Sequence, residues 1–176
     1  MKPIVIYKSK SGYTKDYAQM LGKALACEVR EAAGLQPAEL EAYNPIIYGG
    51  GLYACRINGL ELITNNWAQL CGKQLVVWAT GSNPGRESDV KALAETNFSP
   101  EQLEKVHFFY LRGGFDFAKL DGGGKFLMRM LKLKLKATKN RTEDEEGLLQ
   151  AYTTPENHVS MENLEPLLAC VRSLAE

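Results

Sequence analysis

The sequence has few cysteines, few histidines and no excess of charge of either sign. Its cysteines are widely spaced without a C-x-x-C pair, and only two histidines accompany them: the four are Cys27, Cys55, Cys71 and Cys170. This spacing argues against structural zinc and favours small buried thiols. Lysine plus arginine equals aspartate plus glutamate at 21 each, so net charge indicates neither nucleic-acid binding nor a strongly acidic docking surface.

Long hydrophobic runs are also missing. No apolar stretch approaches the ~20 residues of a membrane span, and the N-terminus enters a short apolar strand without the core and cleavage site of a secretory signal. We therefore expect a cytoplasmic protein. With 45% hydrophobic and 24% charged residues, the composition is that of a folded globular protein, and the length predicts one domain over residues 1–176.

Strand and helix patterns alternate along the chain. Apolar or β-branched runs predict strands at residues 2–7, 27–31, 45–48, 73–79 and 106–111. Apolar residues at helical spacing predict helices at residues 13–26, 57–70, 87–97 and 161–175. Such alternation is typical of α/β proteins with a doubly wound parallel sheet, whose ligands bind in the loops at the carboxyl ends of the strands.

One segment breaks this alternation. Residues 113–154 separate the fifth strand from the last helix by far more than a usual connection, which predicts an insertion. Basic residues there share one side of a helical wheel: Lys125, Arg129, Lys132 and Lys136. Apolar residues share the opposite side: Leu127, Met128, Leu131 and Leu135. A basic amphipathic helix is typical of contact with a membrane surface or an acidic partner; the alternative is a helix that packs its leucines on its own domain.

The loop after the first strand is rich in hydroxyls. Residues 9–14 lack the spaced glycines of a dinucleotide-binding loop and the Gly-Lys-Ser/Thr of a nucleotide-triphosphate loop. Ser9, Ser11 and Thr14, with backbone N–H groups freed by a turn at Gly12, suit a phosphate monoester at the positive end of the following helix. An equally good account of these residues is that they only cap the helix.

The order of these residues resembles a known motif. Ser9 to Thr14 read S-x-S-G-x-T, which is similar to the phosphate loop T/S-x-T/S-G-x-T of flavodoxins. The resemblance implies FMN as the cofactor and a flavodoxin-like sheet of five parallel strands in the order 2-1-3-4-5. The loops at residues 49–54 and 80–85 then correspond to the two flavodoxin loops that hold the isoalloxazine ring.

The residue types in these two loops suit a flavin ring. Glycines let the backbone approach the polar edge of the ring, and Tyr53 offers a flat face for stacking; the alternatives are ordinary turns and a surface aromatic side chain. The candidate cofactor-binding residues are Ser9, Lys10, Ser11, Gly12, Tyr13, Thr14, Gly50, Gly51, Leu52, Tyr53, Thr80, Gly81, Ser82, Asn83 and Gly85.

A closer resemblance is to the menaquinone-dependent protoporphyrinogen oxidases, which are small FMN proteins with an insertion near the fifth strand. It is carried by the insertion and by Leu-Arg-Gly-Gly-Phe-Asp at residues 111–116. Arg112 is the candidate cation near the flavin edge or a substrate carboxylate, and the alternative is an ion pair with Asp116.

These resemblances predict an FMN-binding oxidoreductase. Its partners would be a small-molecule substrate or a redox protein, with a quinone or another acceptor, and no nucleic acid. The alternative is a flavodoxin-type electron carrier without a substrate of its own, and a third hypothesis is a binding module that has lost the flavin.

Overall fold

The computed structural model describes residues 1–120 and 122–174 of the chain. The strands of this part are β1 (Ile4–Lys8), β2 (Glu28–Glu31), β3 (Ile46–Tyr53), β4 (Arg56–Ile57), β5 (Leu75–Gly81), β6 (Val106–Arg112), β7 (Gly114–Phe115) and β8 (Glu156–Asn157). Its α-helices are α1 (Tyr13–Leu25), α2 (Glu61–Thr64), α3 (Trp67–Leu70), α4 (Glu87–Asn97), α5 (Pro100–Leu103), α6 (Gly122–Ala137), α7 (Glu143–Ala151) and α8 (Met161–Ser173). Short 3-10 helices lie at Pro37–Leu40 and Phe117–Lys119.

The five long strands form a parallel sheet in the order β2-β1-β3-β5-β6. Because β4 is a short antiparallel strand folded back on β3, the long strands follow the order 2-1-3-4-5, and the flavodoxin-like prediction is confirmed. The register places Lys8 beside Gly50 and Gly51 beside Thr80. The ends of β1, β3 and β5 are therefore neighbours at one edge of the sheet.

The sheet buries hydrophobic side chains on both faces. On β1, Ile4 and Ile6 belong to the cluster that packs with α2 to α5, whereas Val5 and Tyr7 belong to the cluster that packs with α1 and α8. This alternation follows from the two-residue period of a strand. A parallel strand covered on both faces has no solvent-facing side, which explains the uninterrupted apolar runs in the sequence.

Residues 57–70 differ from the single helix predicted for them. The structure has β4 at the start, then α2 and α3 separated by two asparagines. The side chain of Asn66 donates a hydrogen bond to the carbonyl of Leu62 at 3.0 Å. Asparagine competes in this way with the helical backbone ladder, so the helical pattern is divided. The last helix, predicted to reach Ala175, is described as far as Ser173, and Ala175 lies outside the described residues.

The predicted insertion folds into two helices tied down at both ends. β7 and β8 pair antiparallel, with Gly114 opposite Asn157, which joins the start of the segment to the chain just before α8. Between them, α6 and α7 pack together, and the Tyr152 hydroxyl donates a hydrogen bond to the carbonyl of Met128. The rings of Phe115 and Tyr152 meet edge to face with their centroids 5.4 Å apart.

Gly49 lies inside β3 beneath the indole of Trp78. A Cβ atom at Gly49 would come within 1.9 Å of the Trp78 ring, and both residues are buried. We predict that Gly49→Ala lowers the free energy of unfolding by about 1–3 kcal/mol, because the buried indole has to shift. Urea denaturation measures this change. Gly72→Ala is the matched control, since its Cβ would meet nothing within 4 Å; equal midpoints for the two variants would contradict the prediction.

Candidate functional site

The loops that follow β1, β3 and β5 line one cavity of about 250 Å³. It lies at the carboxyl ends of these strands, where ligands of doubly wound sheets bind. The structure brings these candidate residues together around it: Lys10, Ser11, Tyr13, Thr14, Gly51, Leu52, Tyr53, Thr80, Gly81, Ser82 and Asn83.

The other predicted cofactor residues shape the loops and do not line this cavity. The Ser9 hydroxyl accepts the amide N–H of Gly12 at 3.1 Å. Gly12 has a φ of 98°, which favours glycine. Gly50 is buried where a Cβ would lie 2.6 Å from the carbonyl oxygen of Asn58, and a Cβ at Gly85 would lie 2.5 Å from the ring of Tyr110.

The N-terminus of α1 opens onto the cavity. Gly12 is its N-cap residue and has no side chain to serve as a cap, and the Ser9 hydroxyl accepts the N–H of Gly12. The first backbone N–H groups of a helix have no partner within the helix and form its positive end. Ser11 and Thr14 line the cavity at this point. The Ser9 hydroxyl therefore bonds to the helix end as the capping interpretation expects, whereas the hydroxyls of Ser11 and Thr14 line the cavity, where an anion can bind.

Thr80 is a residue of the cavity wall whose hydroxyl has no partner in the described part of the chain. The residue lines the cavity, and its Oγ1 atom is buried without a hydrogen-bond partner among the described residues. Leaving a buried hydroxyl unsatisfied costs about 1–3 kcal/mol.

The predicted loop at residues 49–54 is largely a hairpin. β3 continues to Tyr53, and β4 begins at Arg56, so the turn falls on Ala54 and Cys55, whose φ angles are 45° and 63°. The side chain of Asn97 in α4 holds this turn, because it donates to the carbonyl of Cys55 at 2.8 Å and accepts the N–H of Ile57 at 2.9 Å. The hairpin is therefore a fixed wall of the cavity.

Tyr53 and Lys10 join two of the lining loops. The Lys10 Nζ atom lies 3.9 Å from the centroid of the Tyr53 ring, a distance at which a cation is attracted to the ring face. The pair therefore gives the cavity both a positive charge and an aromatic surface.

The loop at residues 80–85 is held from beneath by β6. The Tyr110 hydroxyl donates to the carbonyl of Asn83 at 2.8 Å, and Arg112 Nε donates to the carbonyl of Ser82 at 3.3 Å. Burial raises the pKa of Tyr110 to about 12, so the hydroxyl keeps its proton at neutral pH and stays a donor.

Arg112 therefore positions a loop. It was predicted to stand near a flavin edge or to pair with Asp116, but it does not line the cavity. The Asp116 carboxylate instead accepts the amide N–H of Ala118 at 2.9 Å. Asp116 lines the cavity, and the Arg112 side chain bonds to a residue of the cavity wall through the Ser82 carbonyl.

The insertion contributes an apolar wall that sequence reasoning missed. Lining residues outside the predicted site set are Ala54, Asn58, Gly114, Phe115, Asp116, Leu120, Gly124, Leu127, Met128 and Leu148. Helical periodicity assigned Leu127 and Met128 to the side of α6 opposite the basic residues, which was the one available signal. It did not show where α6 would pack.

A second cavity of about 420 Å³ lies behind the loop at residues 80–85. Leu52, Gly81, Ser82 and Asn83 line both cavities. These four residues therefore lie between the two cavities and contact both of them.

Within residues 1–120 and 122–174, no group of three or more His, Cys, Asp or Glu side chains is arranged to hold a metal ion. No described helix combines the length and the apolar content that a membrane span requires.

Comparison with known proteins identifies the family. A model of the flavodoxin domain matches residues 4–143. Because this is well over half of the chain, the protein belongs to the flavodoxin domain family. No curated protein matches the sequence.

Solved structures with a similar fold share little sequence with the chain. The Trp repressor binding protein of Bacillus subtilis has 18% identity and a TM-score of 0.47, covering 64% of this chain and 83% of its own. Flavodoxin 1 of Bacillus cereus has 16% identity and a TM-score of 0.43, covering 85% of this chain and 93% of its own. At such low values these likenesses carry no inference about ligand or partner.

We predict that the wild-type protein loses stability as the pH rises from 10 towards 12, and that Tyr110→Phe loses less. The pKa of Tyr110 is raised by burial from 10.0 to about 12 in the folded state. Between these values the unfolded chain gives up a proton that the native state keeps, so unfolding becomes easier. Urea denaturation at several pH values measures this, and identical pH dependence in both proteins would refute it.

Proposed function

We propose that this flavodoxin-domain protein binds FMN at the cavity. The observation that carries the proposal is the N-terminus of α1, which meets the hydroxyls of Ser11 and Thr14 in a cavity shared with the loops after β3 and β5. A phosphate dianion there would accept backbone and hydroxyl donors at the positive end of a helix. Lys10 adds a positive charge to the same cavity, where its Nζ atom lies over the Tyr53 ring.

The remaining part of the cavity offers groups that suit a flavin ring. Tyr53 offers an aromatic face, and Gly51 and Gly81 offer backbone groups with no side chain in the way. The hydroxyl of Thr80, a residue of the same wall, has no partner among the described residues. When bound, FMN supplies the redox chemistry of the site, and the residues of this chain bind and orient it.

The first experiment is the visible spectrum of the purified protein before and after addition of FMN. We expect Ser11→Ala and Thr14→Val each to raise the dissociation constant of FMN roughly tenfold or more, because each loses a hydrogen bond to a charged phosphate. Fluorescence quenching of FMN measures the constant. Thr14→Val keeps the shape of this buried side chain.

Ser88→Ala is the matched control, because Ser88 is an exposed hydroxyl in α4 outside the cavity. It should bind FMN as the wild type does. A wild-type protein that is colourless and does not change the spectrum of added FMN would refute the proposal. Equal affinity in all three variants would place the phosphate elsewhere and refute the proposed site.

We further propose that the protein is an oxidoreductase similar to the menaquinone-dependent protoporphyrinogen oxidases. A reduced organic substrate would lose two electrons and two protons, and a quinone would take them up as the quinol. The apolar wall supports a substrate in the cavity, since Leu120, Leu127, Met128 and Leu148 line it. A carrier that meets only partner proteins has no need of such a wall.

A turnover assay with a porphyrinogen and a soluble menaquinone analogue tests this second proposal. We expect Leu127→Ser to raise the KM several-fold, because it removes apolar contact area from the cavity. Leu133→Ser is the matched control, since Leu133 lies on the same helix and does not line the cavity. FMN binding should be equal in both variants.

A flavin-loaded protein that accepts electrons from a reductase but turns over no substrate would refute the enzyme proposal. That result would favour the electron carrier, and FMN binding would remain untouched by it.

A further inference from the structure

Three large apolar side chains of α6 point away from the domain. Phe126, Met130 and Leu133 are 68%, 53% and 64% exposed. Their spacing of four and three residues places them on one face of the helix, which we call the outer stripe. Folded soluble proteins seldom expose contiguous apolar side chains, and such patches mark contact sites.

The outer stripe takes no part in packing α6 on its own domain. Gly124 and Leu135 are buried on the other side of the helix, and Met128 on that side lines the cavity. The carbonyl of Met128 also accepts the hydroxyl of Tyr152. The helix therefore has two apolar faces, and the domain covers only one of them.

Basic residues border the outer stripe on both sides. α6 contains no aspartate or glutamate, and its basic residues are Lys125, Arg129, Lys132, Lys134 and Lys136. From the helical period, Lys134 lies on one side of the outer stripe and the other four lie on the opposite side. The whole chain has a net charge of +0, so this charge is local to the helix.

We propose that the outer stripe inserts into the surface of an anionic lipid bilayer, with α6 lying parallel to the membrane. An apolar face bordered by lysine and arginine matches the acyl region and the anionic headgroups at the same time. A second copy of this chain fits less well, because two outer stripes in contact would bring ten basic side chains together.

Helix α6 carries the outer stripe and also forms part of the cavity wall. Leu127 lines the cavity and is also 53% exposed, next to Phe126 in sequence. A bilayer beneath the outer stripe would therefore lie close to the wall formed by the insertion. The proposal does not rest on FMN binding, and its test uses no flavin.

Flotation with lipid vesicles tests the proposal. The wild-type protein should bind vesicles of equimolar phosphatidylcholine and phosphatidylglycerol, and bind phosphatidylcholine alone much more weakly. We expect the triple variant Phe126→Ser, Met130→Ser, Leu133→Ser to lose on the order of a hundredfold in partitioning. Lys134→Gln with Lys136→Gln should lose roughly tenfold or more.

Two further variants keep the test decisive. Met161→Ser is the matched control, since Met161 is an exposed apolar side chain on α8, and it should bind as the wild type does. Phe126→Trp should show blue-shifted fluorescence with anionic vesicles as its indole leaves water. Circular dichroism confirms that each variant is folded.

The proposal would be overturned by a folded wild-type protein that does not bind anionic vesicles. It would also be overturned if the triple variant binds as tightly as Met161→Ser. Self-association that the triple variant abolishes, without any vesicle binding, would assign the outer stripe to a second copy of the chain instead.

Discussion

The register of β3 between its two neighbours is the constraint on which the site depends. Backbone pairing sets Lys8 beside Gly50 and Gly51 beside Thr80, so the loops after three strands begin at one level and meet around one cavity. A shift of one residue would turn each side chain to the other face of the sheet. The Trp78 ring fills the space where Gly49 would carry a side chain, so core packing at the middle of the sheet helps to fix the register that sets the geometry at its edge.

The cavity collects groups that the fold leaves unsatisfied. The glycine at the N-cap of α1 supplies no side chain to cap the helix, and the Thr80 hydroxyl has no partner among the described residues. Each such group costs stability that a capped or bonded residue would recover. Proteins depart from local rules of this kind mainly where they bind or react. Hydrogen bonds that fix the surrounding loops, such as the bond from the Tyr110 hydroxyl to the carbonyl of Asn83, keep these groups in place.

The fold and much of the site follow from local patterns, and what was missed depends on distant contacts. Apolar runs and helical spacing are local, so the strand order and the hydroxyl loop at residues 9–14 could be predicted. Gly50 and Gly85 were assigned to the cofactor, but a Cβ at Gly50 would meet Asn58 and one at Gly85 would meet Tyr110. In the sequence, a glycine that leaves room for a ligand looks the same as a glycine that leaves room for another part of the chain. The two can be told apart only when the contacting atoms are known. The insertion packs so that Leu120 and Leu148 line the cavity. This placement depends on distant contacts, so no local sequence pattern predicted it.

Helix α6 shows where periodicity reaches its limit. The spacing of its leucines and lysines predicts a single apolar side, and the buried Leu135 agrees with it. Phe126 and Met130 belong to a second apolar face that this division does not include. Folding of the domain gains little from side chains that stay in water, so packing gives no account of that face. The proposed contact with an anionic lipid bilayer accounts for both its apolar surface and its basic borders.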